Sequence, residues 1–464
     1  MGVMVDDAPE PMKKTMIRVR KFDVARDLRA VEELERLCQV GLSGDQSSDD
    51  SDPAAADHDG GGAGKKKKRR SSKKKKKRGM SLYVEQIGDP FARVRHAPDH
   101  VILVAEYGED EEVVGVIKAC TRMVSRGKKN KKQSFSSSSK QFVKVACLLG
   151  LRTASNATWP PHSVPDTGSL LSLCRRLGIA TELVRRAESW CASRGAAYAT
   201  MATTESNAAS LALFAGRFAY APFRRPVFLG HPVHRHRARL PRAHRVLRLP
   251  PALAAAAYAA LLPPSAAEFL PADLPSLLSH KLTLGTYLAI HRRSAAADEP
   301  SAAAPSFALL SVWDATRSLS LRVGGAPPLL RASLAAARAL DRHAPWLQVP
   351  SVPDIFRPFG TYLLYGLRMS GPEGPAMLRS LCRHAHNVAR KNPACAVVAA
   401  DLGPEDPAAA VVPHWPKFSC DEDVWCIKKL AGNVAGDDDA EEDDDDWTTS
   451  PPPSGVMFVD PREF

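Results

Sequence analysis

The residues with the most specific chemistry are Arg175-Arg176-Leu177-Gly178-Ile179-Ala180, which read Arg-x-x-Gly-x-Ala. The pattern stands where a strand gives way to a helix. A helix start offers free N–H groups and about half a positive charge from the macrodipole, so it suits an anion. Gly178 would let backbone approach a diphosphate closely, and Arg175 would add charge-assisted hydrogen bonds. A second reading stays open, in which Gly178 only eases packing of helix against strand.

The surrounding pattern must place that helix start. Apolar alternation at Met16 to Val19 predicts a strand, and Leu28, Val31, Leu34 and Leu37 predict a helix over Ala25 to Cys38. Val101 to Glu106 and Val113 to Met123 read as a hairpin, and Val143 to Thr153 as a further strand. Ile179, Leu183, Ala187 and Trp190 recur at helical spacing up to the stop at Arg194-Gly195. Tyr198 to Thr203 then reads as a strand, Asn207 to Ala215 as a short helix, and Phe223 to Leu229 as a strand. The fold class expected is α/β (α+β): a mixed sheet flanked by helices.

The chain has 464 residues and a formal net charge of +13, but Lys65 to Arg78 alone carries 12 positive charges. The remainder is close to neutral, which argues against a nucleic-acid binder built on a whole basic domain. No apolar stretch reaches the length of a helical membrane span, and the acidic N-terminus does not read as a secretory signal. Nine scattered cysteines without a Cys-x-x-Cys pair suggest reduced thiols and an intracellular compartment. Low-complexity runs at Gly41 to Gly79, Arg126 to Lys140, Ser294 to Pro305 and Asp437 to Asp446 are expected to be disordered.

With its element order, this chain resembles the GNAT superfamily of N-acetyltransferases, and more narrowly the plant HOOKLESS-type members. The narrower resemblance rests on Gly88-Asp89-Pro90-Phe91-Ala92-Arg93-Val94-Arg95-His96, Leu149-Gly150-Leu151-Arg152, Leu282-Thr283-Leu284-Gly285-Thr286 and Leu310-Ser311-Val312-Trp313. It rests equally on His384-Ala385-His386-Asn387, on Ser419 to Lys428 and on Phe458-Val459-Asp460-Pro461-Arg462-Glu463-Phe464. The resemblance implies that Arg175, Arg176, Gly178, Ile179 and Ala180 cradle the pyrophosphate of acetyl-CoA. It implies that Leu151, Arg152 and Thr153 offer backbone groups to the pantetheine and thioester, with a backbone N–H meeting the oxyanion. Asn207 and Phe214, on the following helix, would flank the same co-substrate. It further implies a nuclear protein, with the cytoplasm left open, acting in apical-hook growth through hormone-linked gene control.

Two features depart from the superfamily. Ala154 to Cys174 lengthens the connection before the Arg-x-x-Gly loop, and reads as a misread exon boundary or a disordered loop that bulges away. Phe214 stands where many GNAT enzymes carry a tyrosine that protonates the departing thiolate. A thiol pKa of about 8.5 makes the thiolate a fair leaving group, so loss of that donor slows transfer without abolishing it. Glu205 is the candidate base for the acceptor amine. Its commoner role would be an acid held by the dipole of the helix beginning at Asn207.

The expected domains are an N-acetyltransferase unit over 15–245 with disordered insertions at 41–79, 126–140 and 154–174, a second lobe over 246–430, and an acidic, proline-rich tail over 431–464. Gly360 to Arg368 resembles Cys147 to Arg152, followed by a helix from Pro375 to Asn392 and a strand from Ala396 to Asp401. This reads as a degenerate GNAT-like lobe in which Glu373 would repel phosphate. His231, His234, His236 and His244 lie among arginines without a cysteine, and read as a basic connection in preference to a zinc site. His384 and His386 cannot face the same way and are not read as ligands. Lys65 to Arg78 favours nuclear import over nucleic-acid contact, since it lacks interleaved aromatics. Two functions follow: acetyl-CoA-dependent transfer to a protein amine, with histone or other nuclear lysines as acceptors, or a catalytically weak nuclear regulator working through protein contacts. No membrane partner is expected.

Overall fold

The computed structural model describes residues 17–37, 40–41, 81–85, 89–127, 141–154, 177–291, 305–318, 320–347, 349–419, 423–430, 446–449 and 456–464. Most of the low-complexity runs, and with them the expectations placed on 42–79, 128–140, 155–174 and 437–445, lie outside the described residues.

In chain order the strands and helices begin with β1 (Ile17–Lys21), α1 (Val24–Leu37), β2 (Val40–Gly41), β3 (Ser81–Glu85), β4 (Asp99–Tyr107), β5 (Glu112–Arg126) and β6 (Phe142–Thr153). They continue with α2 (Ile179–Ser193), β7 (Tyr198–Thr204), α3 (Ala208–Leu211), β8 (Ala221–Arg224), β9 (Val227–Pro232), β10 (His244–Leu249) and α4 (Pro251–Leu261). Then come β11 (Ala267–Pro271), α5 (Leu274–Ser279), β12 (Thr283–His291), β13 (Phe307–Asp314), β14 (Ser320–Gly324) and α6 (Pro328–His343). The last are β15 (Phe359–Ser370), α7 (Gly374–Ala389), β16 (Cys395–Leu402), β17 (Asp423–Lys429) and β18 (Val456–Met457).

These strands make two sheets. The first runs β1-β4-β5-β6-β7-β17-β8, with β11 on β5 and β18 on β11. The second runs β10-β12-β13-β15-β14-β3-β2, with β16 on β15 and β9 on β16. The order β4-β5-β6-α2-β7 is repeated as β12-β13-β15-α7-β16. In each copy two antiparallel pairings precede one parallel pairing across the helix. A parallel pair needs a long crossover, and the helix supplies it.

The copies exchange strands. β9, from the first half of the chain, closes the second sheet against β16, while β17, from the second half, closes the first sheet against β7. Sequence reading takes Phe223 to Leu229 as one strand and places the change of unit at 245–246. The structure breaks that run at Arg225-Pro226, with β8 in the first sheet and β9 in the second. Proline has no N–H for a ladder, so the apolar run cannot continue through it. The expected Asn207 to Ala215 helix is a single α-turn that widens into a π-helical turn over Ala212–Arg217.

The C-terminal segment is buried between the sheets. Trp447 is fully enclosed and donates its indole N–H to Glu268 Oε1 at 2.8 Å. Arg122, on β5, reaches Asp460 at 2.7 Å and Glu463 at 3.3 Å. Arg462 binds Asp273 and Asp460, each at 2.6 Å. Burial alone would raise the Asp460 carboxyl, but Arg122 and Arg462 together hold it below the usual carboxylate range. Its stabilising contribution is therefore present above the ordinary aspartate pKa and lost as pH falls through the lower folded value. Among the described residues no helix is long and apolar enough to cross a membrane. Removing Arg122 takes away the buried partner of Glu463 and one of the two that hold Asp460, leaving Arg462 alone to compensate it. Urea denaturation of Arg122→Ala should show a loss of about 3–5 kcal/mol; a loss below about 1 kcal/mol would refute this account of the tail.

Candidate functional site

α2 begins at Gly178 in a left-handed conformation, φ 80°, with no side-chain cap on its first turn. A side chain built at Gly178 would meet nothing within 4 Å among the described residues, which leave the helix start open. The packing role falls to another glycine: a Cβ at Gly115 would come within 2.9 Å of Ile179 Cγ2 and Leu183 Cδ1. Ile179 and Leu183 are buried there, and Ala180, beside Ile179, is half-buried. Among the described residues Gly178 itself packs against nothing, and its positive φ is one that glycine adopts without steric cost. Arg175 and Arg176 lie outside the described residues.

Beside this helix start the sheet opens. β6 and β7 pair in parallel from Val145–Tyr198 to Leu148–Met201, and there the ladder stops. β6 continues to Thr153 paired with β5 alone, through a bulge at Gly150, φ 57°. Leu149 to Thr153 therefore lie beyond the β6–β7 ladder, where the resemblance puts the contacts of Leu151, Arg152 and Thr153 with the co-substrate. Arg152 donates to its neighbour's carbonyl, Leu151 O, at 2.9 Å. Asn207 caps α3, its Oδ1 accepting from Ser210 N at 3.1 Å. Phe214 is buried, edge-on to Tyr220 at 5.3 Å, and offers no proton. Glu205 is exposed on the turn after β7 and accepts from Arg225 Nη1 at 2.7 Å. The structure thus brings Gly178, Ile179 and Ala180 to the open helix start and Leu151 to Thr153 to the opened strand edge. It leaves Glu205 on the surface.

Alternation along β5 sets Lys118, Cys120, Arg122 and Val124 on the face opposite Gly115 and α2. Two features there were invisible in the sequence. Lys118 lies beside Gly150 and is buried in a 2.5 Å pair with Glu35 of α1. Burial lowers its pKa despite the attraction of Glu35. Further along, a small cavity of about 20 Å³ is lined by Arg122, Cys147, Thr200, Trp425, Asp460 and Glu463, among others. Near Glu463, Asp401 buries an Oδ1 that has no hydrogen-bond partner among the described residues. Burial, followed by Asp423 and Glu463, raises the Asp401 carboxyl well above the usual range. Pairing of β16 with β9 and of β17 with β7 creates this cluster, so no local motif announces it.

The second lobe repeats the opening and fills it. β15 and β16 stop pairing at Leu364–Ala400, and Gly366 takes φ 64° at the matching bulge. A Cβ there would lie 2.6 Å from the hydroxyl oxygen of Tyr258, a fully buried α4 residue bonded to Ser311 at 3.0 Å. The N-cap of α7 is Glu373, where α2 has Gly178.

The chain is similar in sequence to known proteins. Residues 168–220 match the acetyltransferase (GNAT) family. The chain is 65% identical to "Acetyl transferase GW6a" of Oryza sativa subsp. japonica, across 98% of this chain and 99% of the relative. It is 38% identical to "Probable N-acetyltransferase HLS1" of Arabidopsis thaliana, across 97% of this chain and 100% of the relative. Among solved structures, Saccharomyces cerevisiae N-myristoyltransferase with bound myristoyl-CoA gives a loose likeness of chain trace, with TM-score 0.41 and 11% identity over 92% of this chain and 82% of that one.

Because the folded pKa of Asp401 exceeds the unfolded one, stability falls as pH rises between the two values. Asp401→Asn should therefore raise the urea midpoint at about pH 8 and raise it less at about pH 5. A variant weaker than the parent at pH 8 would contradict the placement of this carboxyl.

Proposed function

Because the chain belongs to the HOOKLESS-type plant N-acetyltransferases of the GNAT superfamily, we propose that it transfers the acetyl group of acetyl-CoA to an amine of a nuclear protein. The observation that carries this reading is the open, left-handed start of α2 at Gly178 beside the halted β6–β7 ladder. The residues fit the co-substrate: Gly178, Ile179 and Ala180 would hold the pyrophosphate on backbone N–H groups. Leu151 to Thr153 would hold the pantetheine and the carbonyl oxygen. Acetyl-CoA supplies an acyl group already activated as a thioester.

The chain's own task is to deliver a neutral amine. A lysine amine has a pKa of about 10.4, so a proton must leave before attack. The Glu35–Lys118 pair is proposed to receive it. It lies beside the Gly150 bulge, and burial lowers the Lys118 pKa, the direction that suits a base. Glu205, solvent-exposed and held by Arg225, is the alternative acceptor. The acceptor is proposed to be a histone or other nuclear lysine, reached after import directed by Lys65 to Arg78, in growth and hormone-linked gene regulation. A second reading, a weakly catalytic regulator acting through protein contacts, is favoured by the buried, proton-free Phe214.

Calorimetry on the full chain tests the site. Gly178→Glu should weaken acetyl-CoA binding at least about tenfold, whereas Gly178→Asn, which tolerates φ > 0, should retain most of it. Equal affinity in Gly178→Glu would remove the assignment. With basic peptide substrates, Glu35→Gln should lower kcat while leaving acetyl-CoA affinity intact; loss of kcat in Glu205→Ala instead would move the base to Glu205. Tight acetyl-CoA binding with no turnover on any such peptide would favour the regulator.

A further inference from the structure

At the start of α7 the Glu373 carboxylate faces two imidazoles. His291 Nε2 lies 2.6 Å from Glu373 Oε2, and His244 Nε2 lies 3.7 Å from the same oxygen. His244 opens β10 and His291 closes β12, where the two are direct cross-strand partners. The three ligand atoms lie within 4.8 Å of one another, the one such group of His, Cys, Asp or Glu among the described residues.

His244 Nδ1 is 2.7 Å from Ser380 Oγ, and the Ser380 hydroxyl donates to Ala376 O at 3.1 Å. In the tautomer whose Nδ1 donates to Ser380, the Nε2 lone pair faces Glu373, as the lone pair of a metal ligand would. The His244 side chain is 6% exposed and Ser380 is fully buried, so this ligand is fixed. His291 and Glu373 are about half exposed and free to adjust.

We propose that His244, His291 and Glu373 bind a divalent transition-metal ion of the zinc class, with water completing the coordination. Two imidazoles and a carboxylate suit such an ion, whereas magnesium and calcium prefer oxygen ligands throughout. Bond lengths near 2.0–2.1 Å in a tetrahedron place ligand atoms roughly 3.3 Å apart. The observed 2.6 and 3.7 Å straddle that spacing. Ser380 supplies the outer hydrogen bond that orients a metal-bound imidazole. The second lobe thus turns the helix start that the first lobe keeps open for an anion into a cation clasp joining β10, β12 and α7.

Zinc alone, titrated into the full chain and followed by calorimetry, tests this, with cobalt(II) absorption reporting the donor set. The wild-type chain should bind a zinc equivalent that Glu373→Gln and His291→Ala each weaken at least about tenfold. Both substitutions are at exposed positions, and circular dichroism and the apo thermal midpoint should be unchanged. Magnesium and calcium should not compete at this site. Equal zinc affinity in the wild type and both variants would place the metal elsewhere and overturn the proposal. Absence of zinc binding, with His244 titrating as an imidazolium by NMR, would show the cation to be a proton and would overturn it equally.

Discussion

A parallel ladder that halts part-way is the constraint on which the first lobe is organised. Backbone N–H and C=O groups inside a protein must find partners, so a strand that leaves its neighbour needs a bulge, solvent or a ligand. Here β6 leaves β7 after Leu148–Met201, and Gly150 turns the strand at the point of departure. The gap opens beside a helix whose first turn has no side-chain cap. The helix start at Gly178 and the strand edge at Leu149 to Thr153 converge where the proposed elongated, anionic thioester carrier would lie. Gly115 makes this possible by letting α2 sit close on β5.

The second lobe shows the same frame put to other use. Its bulge at Gly366 is filled by Tyr258 and its helix start is occupied by Glu373. The two lobes share the strand order, and only the first keeps the opening. Exchange of β9 and β17 between the sheets, with the buried C-terminal segment between them, makes the lobes one interlocked body. Arg122, Arg462, Asp460 and Glu463 are held there by mutual compensation, since each charge would be costly to bury alone. The same interlock gathers Asp401, Asp423 and Glu463 from distant parts of the chain.

What could be read from the sequence follows from range. The strands and helices of β4 to β7 were legible because their apolar periods are local, and the Arg-x-x-Gly-x-Ala start because its spacing is local. The match of Gly360 to Arg368 with Cys147 to Arg152 disclosed the repeat for the same reason. Strand exchange was not legible: Phe223 to Leu229 looks like one apolar run, and only Pro226 hints that it is two. Glu35 with Lys118, and His244 with His291 and Glu373, meet through tertiary pairing that leaves no spacing in the chain. Sequence reading groups His244 with His231, His234 and His236 as a basic connection, and its contacts with His291 and Glu373 follow from strand pairing alone.

Hydrogen exchange with and without acetyl-CoA tests the central claim most directly. The account predicts that the co-substrate slows exchange at the amides of Gly150 to Thr153 and of Ile179 to Thr181, while those around Gly366 and Gly374 are unchanged. Protection at the second lobe's helix start, with none at the first, would contradict it.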